Sequence, residues 1–212
     1  RSAGVIALTA EAHPGDNIRV RGQDFAAGDS MAAPRRLRPN DIALLAAMNI
    51  AEVGVTRRPV VAIIATGDEL VMPGEDPRPD PIVASNNFAL AALVEAEGGE
   101  ARLLPIARDT EAELRTVFAM AATADLIVTI GGASVGDHDL VGRVAADLGM
   151  ERACWKIAMR PGKPLMAGRL NGTPMLGLPG NPVSAIVCGH IFLLPMVRRM
   201  LGLPAVAPLT RL

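Results

Sequence analysis

The chain predicts an α/β fold: a mostly parallel, three-layer sheet with helices on both faces, preceded by a small β-rich extension. Three features predict it. The runs "VVAIIAT" (60–66) and "DLIVTI" (125–130) are continuously apolar and rich in β-branched residues, as strands buried on both faces are. Helical patterns alternate with such runs from residue 60 onward, the rhythm that builds parallel sheets. Glycine-bearing turns, "GGASVG" and "LPGNPVS", follow strands, at the edge where sheets of this kind bind ligands.

The elements follow in order. Residues 1–58 differ from the rest. There "NIRVRGQDFAAGD" reads as a short strand with turns, "RPNDIALLAAMNI" as a helix with Asn40 at its N-cap, and "AEVGV" as a strand. "RRP" closes this segment at Pro59, and "VVAIIAT" opens the sheet. "SNNFALAALVEAEGG" reads as a helix capped by Ser85 and stopped by Gly98. "ARLLPIA" is a strand that Pro105 confines to an edge or a bulge. "TEAELRTVFAMAA" is a helix with a capping box from Thr110 to Glu113. "HDLVGRVAADLG" is the helix after "DLIVTI". "PLMAGRL-NG-TPMLGL" is a hairpin, because Asn-Gly suits a type I′ turn. "NPVSAIVCGHIFLL" is a helix with Asn181 at the cap and Pro182 in the first turn, which Pro195 must kink or end. The domain boundaries expected are 1–58, 59–202 and a linker at 203–212. The start at Arg1 and the proline-rich "GLPAVAP" near the end read as part of a longer protein.

Composition excludes several classes. At 212 residues with 50% hydrophobic and 20% charged content, one large domain with a substantial core is expected. A net charge of -1 and 2% aromatic residues, with no tyrosine, argue against a nucleic-acid binder. No apolar run reaches membrane-spanning length without a charge, proline or glycine, so no membrane partner is expected. Cys154 and Cys188 have no metal-ligand spacing, and reduced thiols in a cytoplasmic protein are the expectation. His13, His138 and His190 have none either and read as structural or surface residues.

Candidate chemistry gathers at the strand ends. Glu69 in "TGDEL", Asp109 in "RDT" and Asp139 in "GGASVGDHD" each follow a strand and could converge there. For Asp109 a helix cap is an equal reading. Gly131, Gly132, Ser134 and Gly136 form a turn open to close backbone approach, or simply a tight turn. In "LPGNPVS" a helix N-terminus follows Gly180, which favours an oxyanion; an ordinary capped turn is the other reading. The chain has only two lysines, Lys156 and Lys163, both in "WKIAMRPGKP", although arginine is used freely elsewhere. Lysine gives a compact ammonium with rotatable donors and arginine a planar fork, a difference that a site for a tetrahedral oxyanion could need; a cluster of solvated charges is the other reading. Trp155 beside them reads as core.

"ATGDEL", "GGASVGDHD", "WKIAMRPGKP" and "GLPGNPVSA", in this order, resemble the molybdopterin molybdenumtransferases, the bacterial MoeA type and the gephyrin E domain. The resemblance runs from "NIRVRGQDF" to about Gly202. It implies a molybdopterin-binding type of α/β domain at 59–202. It also implies that 1–58 is the end of an elongated β-rich domain and that 203–212 leads to a C-terminal β domain. The implied reaction takes molybdate and adenylylated molybdopterin, releases AMP and inserts molybdenum, in molybdenum cofactor biosynthesis. By motif, Glu69, Asp109 and Asp139 are the implied acids and ligands of Mg2+ or a similar divalent cation. Lys156 and Arg160 are the implied basic pair, Arg160 standing where many relatives carry lysine. Lys163, Pro179, Gly180, Asn181, Pro182 and Ser184 complete the implied substrate contacts. A homodimer is implied, with the adenylyltransferase that supplies the substrate as a further partner. Two alternatives remain open: a molybdopterin adenylyltransferase, and a non-catalytic gephyrin-like scaffold.

Overall fold

The computed structural model describes residues 4, 11, 13–75, 80–132 and 140–205. The chain divides into two compact units, Arg1–Val53 and Gly54–Leu212.

In the first unit the only helix among the described residues is α1 (Pro39–Ala47). Pro39, not Asn40, opens it: the ring presets the helical φ, and Arg38 becomes the N-cap. The Asp41 carboxylate, three residues on, accepts from Arg38 N at 2.8 Å. No strand forms among the described residues of 11–59, which corrects the strands expected in 17–29 and 51–55. A strand needs a ladder partner, and turns at 14–17, 21–24 and 27–28 break this stretch into pieces too short to supply one. Ile18 and Val20 are each 69% exposed, so no apolar layer holds a strand there.

The second unit is the predicted α/β domain. Its strands are β1 (Val60–Ala65), β2 (Leu70–Val71), β3 (Ile82–Val83), β4 (Glu100–Leu103), β5 (Leu126–Ile130), β6 (Met150–Trp155), β7 (Met166–Leu170) and β8 (Thr173–Leu178). Its helices are α2 (Asn86–Glu97), α3 (Glu111–Ala121), α4 (Leu140–Asp147), α5 (Pro182–Cys188) and α6 (Leu194–Met200). The main sheet runs β4-β1-β5-β8-β7-β6; its first four strands are parallel, and β7 runs antiparallel to both its neighbours, β8 and β6. β2 and β3 pair in parallel as a separate two-stranded sheet. Neither that sheet nor β6 is expected from the sequence. β2 and β3 are two residues each, and β6 is mostly exposed, so none carries the buried-strand pattern.

The central strands read as they do because both faces are covered. On one face Ala62, Ile64 and Ile127 pack with Leu114, Phe118, Val141 and Val144 of α3 and α4. On the other, Val61, Ile63, Val128 and Leu176 pack with Leu90, Val94, Cys188 and Val197 of α2, α5 and α6. Ile63, Leu90 and Leu176 are 2% exposed or less. Each such side chain contributes about 1.5–3 kcal/mol relative to exposure.

The turns follow residue chemistry with some differences. β7 and β8 form the expected hairpin, Leu170 opposite Thr173, with Asn171 at φ 49 and Gly172 at φ 84, both left-handed as a type I′ turn requires. Gly98 ends α2 at φ 107. Ser85 precedes α2 but makes no capping bond through its side chain. Thr110 caps α3 by accepting from Glu113 N at 3.3 Å, while Glu113 reaches back to Arg108 N at 3.0 Å, past the position that would close the box. Pro105 lies just beyond β4, which is an edge strand. Pro195 does not end its helix. A π turn (Gly189–Leu193) joins α5 to α6, and Pro195 sits in the first turn of α6. The continuous helical run Pro182–Met200 has a mean hydropathy of 1.4, enough by length and composition to cross a membrane. The core contacts of Ala185, Cys188, Leu193 and Val197 account for that apolarity.

Candidate functional site

β1 leads through α2 to β4 on one side, and β4 leads through α3 to β5 on the other side of β1. Connections therefore diverge between β1 and β5, and a crevice opens beyond their carboxyl ends. A cleft of about 600 Å³ lies there. Its walls come from Thr66, Gly67 and Glu69 after β1, Asp109 after β4, Gly131 and Gly132 after β5, and Pro179–Pro182 after β8. Ser85, Asn86 and Asn87 at the start of α2 close one side, and Ile82 and Val83 of β3 add an apolar stretch.

Glycine is required where these loops meet. Gly131 has φ +90, and a Cβ there would lie 2.8 Å from the Thr66 carbonyl oxygen. Gly132 has φ +65, and its Cβ would overlap the Val141 side chain. Gly180 packs against Gly131, with 3.4 Å between its ideal Cβ and the Gly131 Cα. Backbone meets backbone here, which leaves the cleft floor without side chains. Buried Thr66 fixes the junction through N–H and hydroxyl bonds to the Ile130 carbonyl, at 3.0 and 3.3 Å.

Two of the three predicted acids line this cleft. The Glu69 carboxylate folds back over Gly67, 2.6 Å from where a Cβ would stand. Asp109 N donates to Asp68 Oδ1 at 3.0 Å, tying the two acidic loops together. Thr110 takes the capping position of α3, so Asp109 is not its cap. Burial is the first cause that holds the Asp109 carboxyl above the ordinary aspartate range, and Asp68 and Glu69 add repulsion. Asp139, Ser134 and Gly136 lie outside the described residues. Among the described residues no group of three His, Cys, Asp or Glu side chains forms a metal cluster.

The anion loop is built in part as the sequence suggests. Asn181 caps α5 by accepting from Ser184 N at 3.2 Å. That bond occupies the Ser184 N–H, and Pro182 has none, so this helix start offers an anion fewer donors than most. Asn86 Nδ2 donates to the Gly180 carbonyl at 2.7 Å and holds the loop to α2. No sequence pattern singles out Asn86.

The basic segment meets the cleft at Pro164. Lys156, Arg160 and Lys163 are not among the residues lining the cleft, although Pro164 is. Lys156 N donates to Leu165 O at 2.8 Å and Ile157 N to Lys163 O at 3.0 Å, closing 156–165 into a loop. Gly162 seats this loop on α5, where a Cβ would come within 2.6 Å of Cys188 Sγ. Trp155 is not core: it is 38% exposed, with Lys156 Nζ 4.2 Å and Arg152 Cζ 4.8 Å from its ring centre. Its neighbours on β6, an edge strand, leave the ring no interior to enter.

A three-layer α/β domain with a glycine-floored cleft at the point where its connections diverge is a ligand-binding domain of the doubly wound class. A family profile described as a probable molybdopterin binding domain matches residues 62–199, and the chain belongs to that family. It is similar to the molybdopterin molybdenumtransferase of Nostoc sp., 40% identical over 90% of this chain and 45% of that protein. It is 38% identical to molybdopterin molybdenumtransferase 2 of Mycobacterium tuberculosis, over 94% of this chain and 51% of that one. The chain spans about half the length of these curated relatives. Among solved structures, the molybdopterin biosynthesis MoeA protein from Pyrococcus horikosii superposes with a TM-score of 0.73 at 37% identity, covering 79% of this chain and 42% of that one. The biosynthesis enzyme MoaB of Thermus thermophilus shares the fold, with a TM-score of 0.51 at 19% identity.

Proposed function

We propose that this chain is the central part of a molybdopterin molybdenumtransferase, a cytoplasmic enzyme of molybdenum cofactor biosynthesis. It inserts molybdenum into adenylylated molybdopterin and releases AMP. The observation that carries this reading is the cleft itself, where Glu69 and Asp109 face a glycine floor and the "PGNP" loop. The transferase name of relatives at 38–40% identity favours it over an adenylyltransferase or a scaffold.

In this reading the glycine turns of 131–132 and 180 admit the phosphates of the substrate to the backbone. Glu69, Asp109 and Asp139 would hold Mg2+. Hard carboxylate oxygens suit that ion, which takes one or two carboxylates together with substrate phosphates. An ion held there would supply charge neutralisation as the phosphoanhydride breaks. Lys156, Arg160 and Lys163 supply the positive charge that binds molybdate and phosphate. Their loop carries Pro164 to the wall of the cleft, which supports this role. The working protein is a homodimer.

The test is AMP release from adenylylated molybdopterin with molybdate and Mg2+. Glu69→Gln should lower the rate on the order of a hundredfold at unchanged melting temperature, the loss typical of one transition-state contact. Full activity in that variant would remove Glu69 from the mechanism. Consumption of ATP with free molybdopterin would identify an adenylyltransferase instead.

A further inference from the structure

Arg108 immediately precedes Asp109, and its side chain turns toward the neighbouring β1 loop. Nη1 donates to the carbonyl oxygens of Asp68 at 2.9 Å and Leu70 at 2.8 Å, with Gly67 O at 3.4 Å. Three carbonyls of the "TGDEL" turn thus converge on one guanidinium nitrogen. The backbone of Arg108 is itself fixed, because its N–H donates to Glu113 of α3 at 3.0 Å. Asp109 N–H completes the link by donating to Asp68 Oδ1. The turn held in this way carries Glu69, whose carboxylate lies over Gly67.

A turn with several carbonyls pointing the same way is unfavourable unless a cation or a set of donors faces them. Arg108 provides both. Hydrogen bonds from a charged donor are stronger than neutral ones, and the planar guanidinium loses little freedom in making them.

We propose that Arg108 is a positioning residue: it locks the Gly67–Leu70 turn to the Asp109 loop, so that Glu69 and Asp109 are presented to the cleft as one unit. The positioning of the turn stands on the hydrogen bonds above; its consequence for cation binding rests on the function proposed for Glu69 and Asp109. Arg108 is not among the residues lining the cleft and acts through the turn.

The test compares the native chain with Arg108→Gln and Arg108→Lys by two measurements. Hydrogen–deuterium exchange reads the turn directly. In Arg108→Gln the amides of 66–71 exchange faster, on the order of tenfold, because charged-donor bonds are lost. The strand 126–130 and the helix 86–97 keep their native rates. Arg108→Lys recovers most of the protection, since an ammonium still donates to carbonyls. Mn2+ binding, followed by the loss of the free-ion EPR signal, reads the acids. Its affinity falls on the order of tenfold in Arg108→Gln, as for other residues that orient ligands, and returns in Arg108→Lys.

Unchanged exchange at 66–71, or acceleration spread equally to 126–130, overturns the proposal. So does native Mn2+ affinity in Arg108→Gln. If the native chain binds no Mn2+ while exchange behaves as expected, the cation assignment of the proposed function fails and the positioning of the turn by Arg108 holds.

Discussion

At the mouth of the cleft Asp109 lies beside Asp68 and Glu69, and its carboxyl is held above the ordinary range chiefly by burial, then by those two acids. A carboxyl raised by folding resists ionisation in the native state. The stability linked to it is full below the unfolded value, about 3.9, and is lost as pH rises through the folded value. Asp109→Asn cannot ionise, so it should unfold at a higher temperature than the native chain at pH 7, by about 1–3 °C for a partly exposed group. The gap should close toward pH 3.5. Thermal unfolding across that range checks it, and a variant less stable at pH 7 would make the carboxylate a structural acceptor. Lower activity in the same variant would mark a functional acid kept at a cost in stability. Asp109 is legible in the sequence as a strand-end acid, but its two readings separate only when Thr110 is seen in the cap. Arg108 is not legible at all, because nothing in "RDT" tells that the side chain crosses to another loop.

The elements were legible wherever one physical cause dominated. β1 and β5 are buried on both faces, so continuous apolar runs mark them. Asn171-Gly172 dictates its turn without help from packing. Elements set by tertiary pairing escaped: β2 and β3 owe their existence to each other. Pro195 does not end its helix, because the chain passes through a π turn into α6 instead of stopping. The joint between β1 and β5 also depends on a long-range pair. Arg57 donates to Asp125 through Nη2 at 2.6 Å and Nη1 at 2.8 Å, and Asp125 accepts from Val60 N at 2.7 Å. The Arg57 bond is the first cause that holds the Asp125 carboxyl below its usual range, against the opposing effect of burial. Its stabilisation is therefore present above the unfolded value and lost as pH falls through the folded one. Asp125→Asn should lower the melting temperature at pH 7 by about 2–4 °C, and the deficit should shrink as pH falls below the unfolded value of about 3.9. A constant deficit at all pH values would assign the effect to packing.

At the scale of the whole molecule the two units differ in what they bury. The second holds two apolar layers around its sheet. In the first, none of the described residues from 13 to 53 is buried, and α1 has no buried residue. Ile18, Val20 and Ile42 are 69%, 69% and 58% exposed. A segment of this size cannot bury enough surface to repay the entropy of ordering it. Apolar side chains left in water at that density call for a covering surface. The proposed homodimer supplies one, with the first unit of each chain covered on assembly. Light scattering at micromolar concentration should then give twice the 22.1 kDa of one chain. Val20→Asp would place a charge in the covered surface and should shift the population toward monomer, since an unpaired buried charge costs several kcal/mol. The substitution sits outside the α/β core, so the unfolding of the second unit should be unchanged. A native chain that scatters as a 22.1 kDa monomer, or a Val20→Asp variant that dimerises as the native chain does, would assign the exposed face of the first unit to another role.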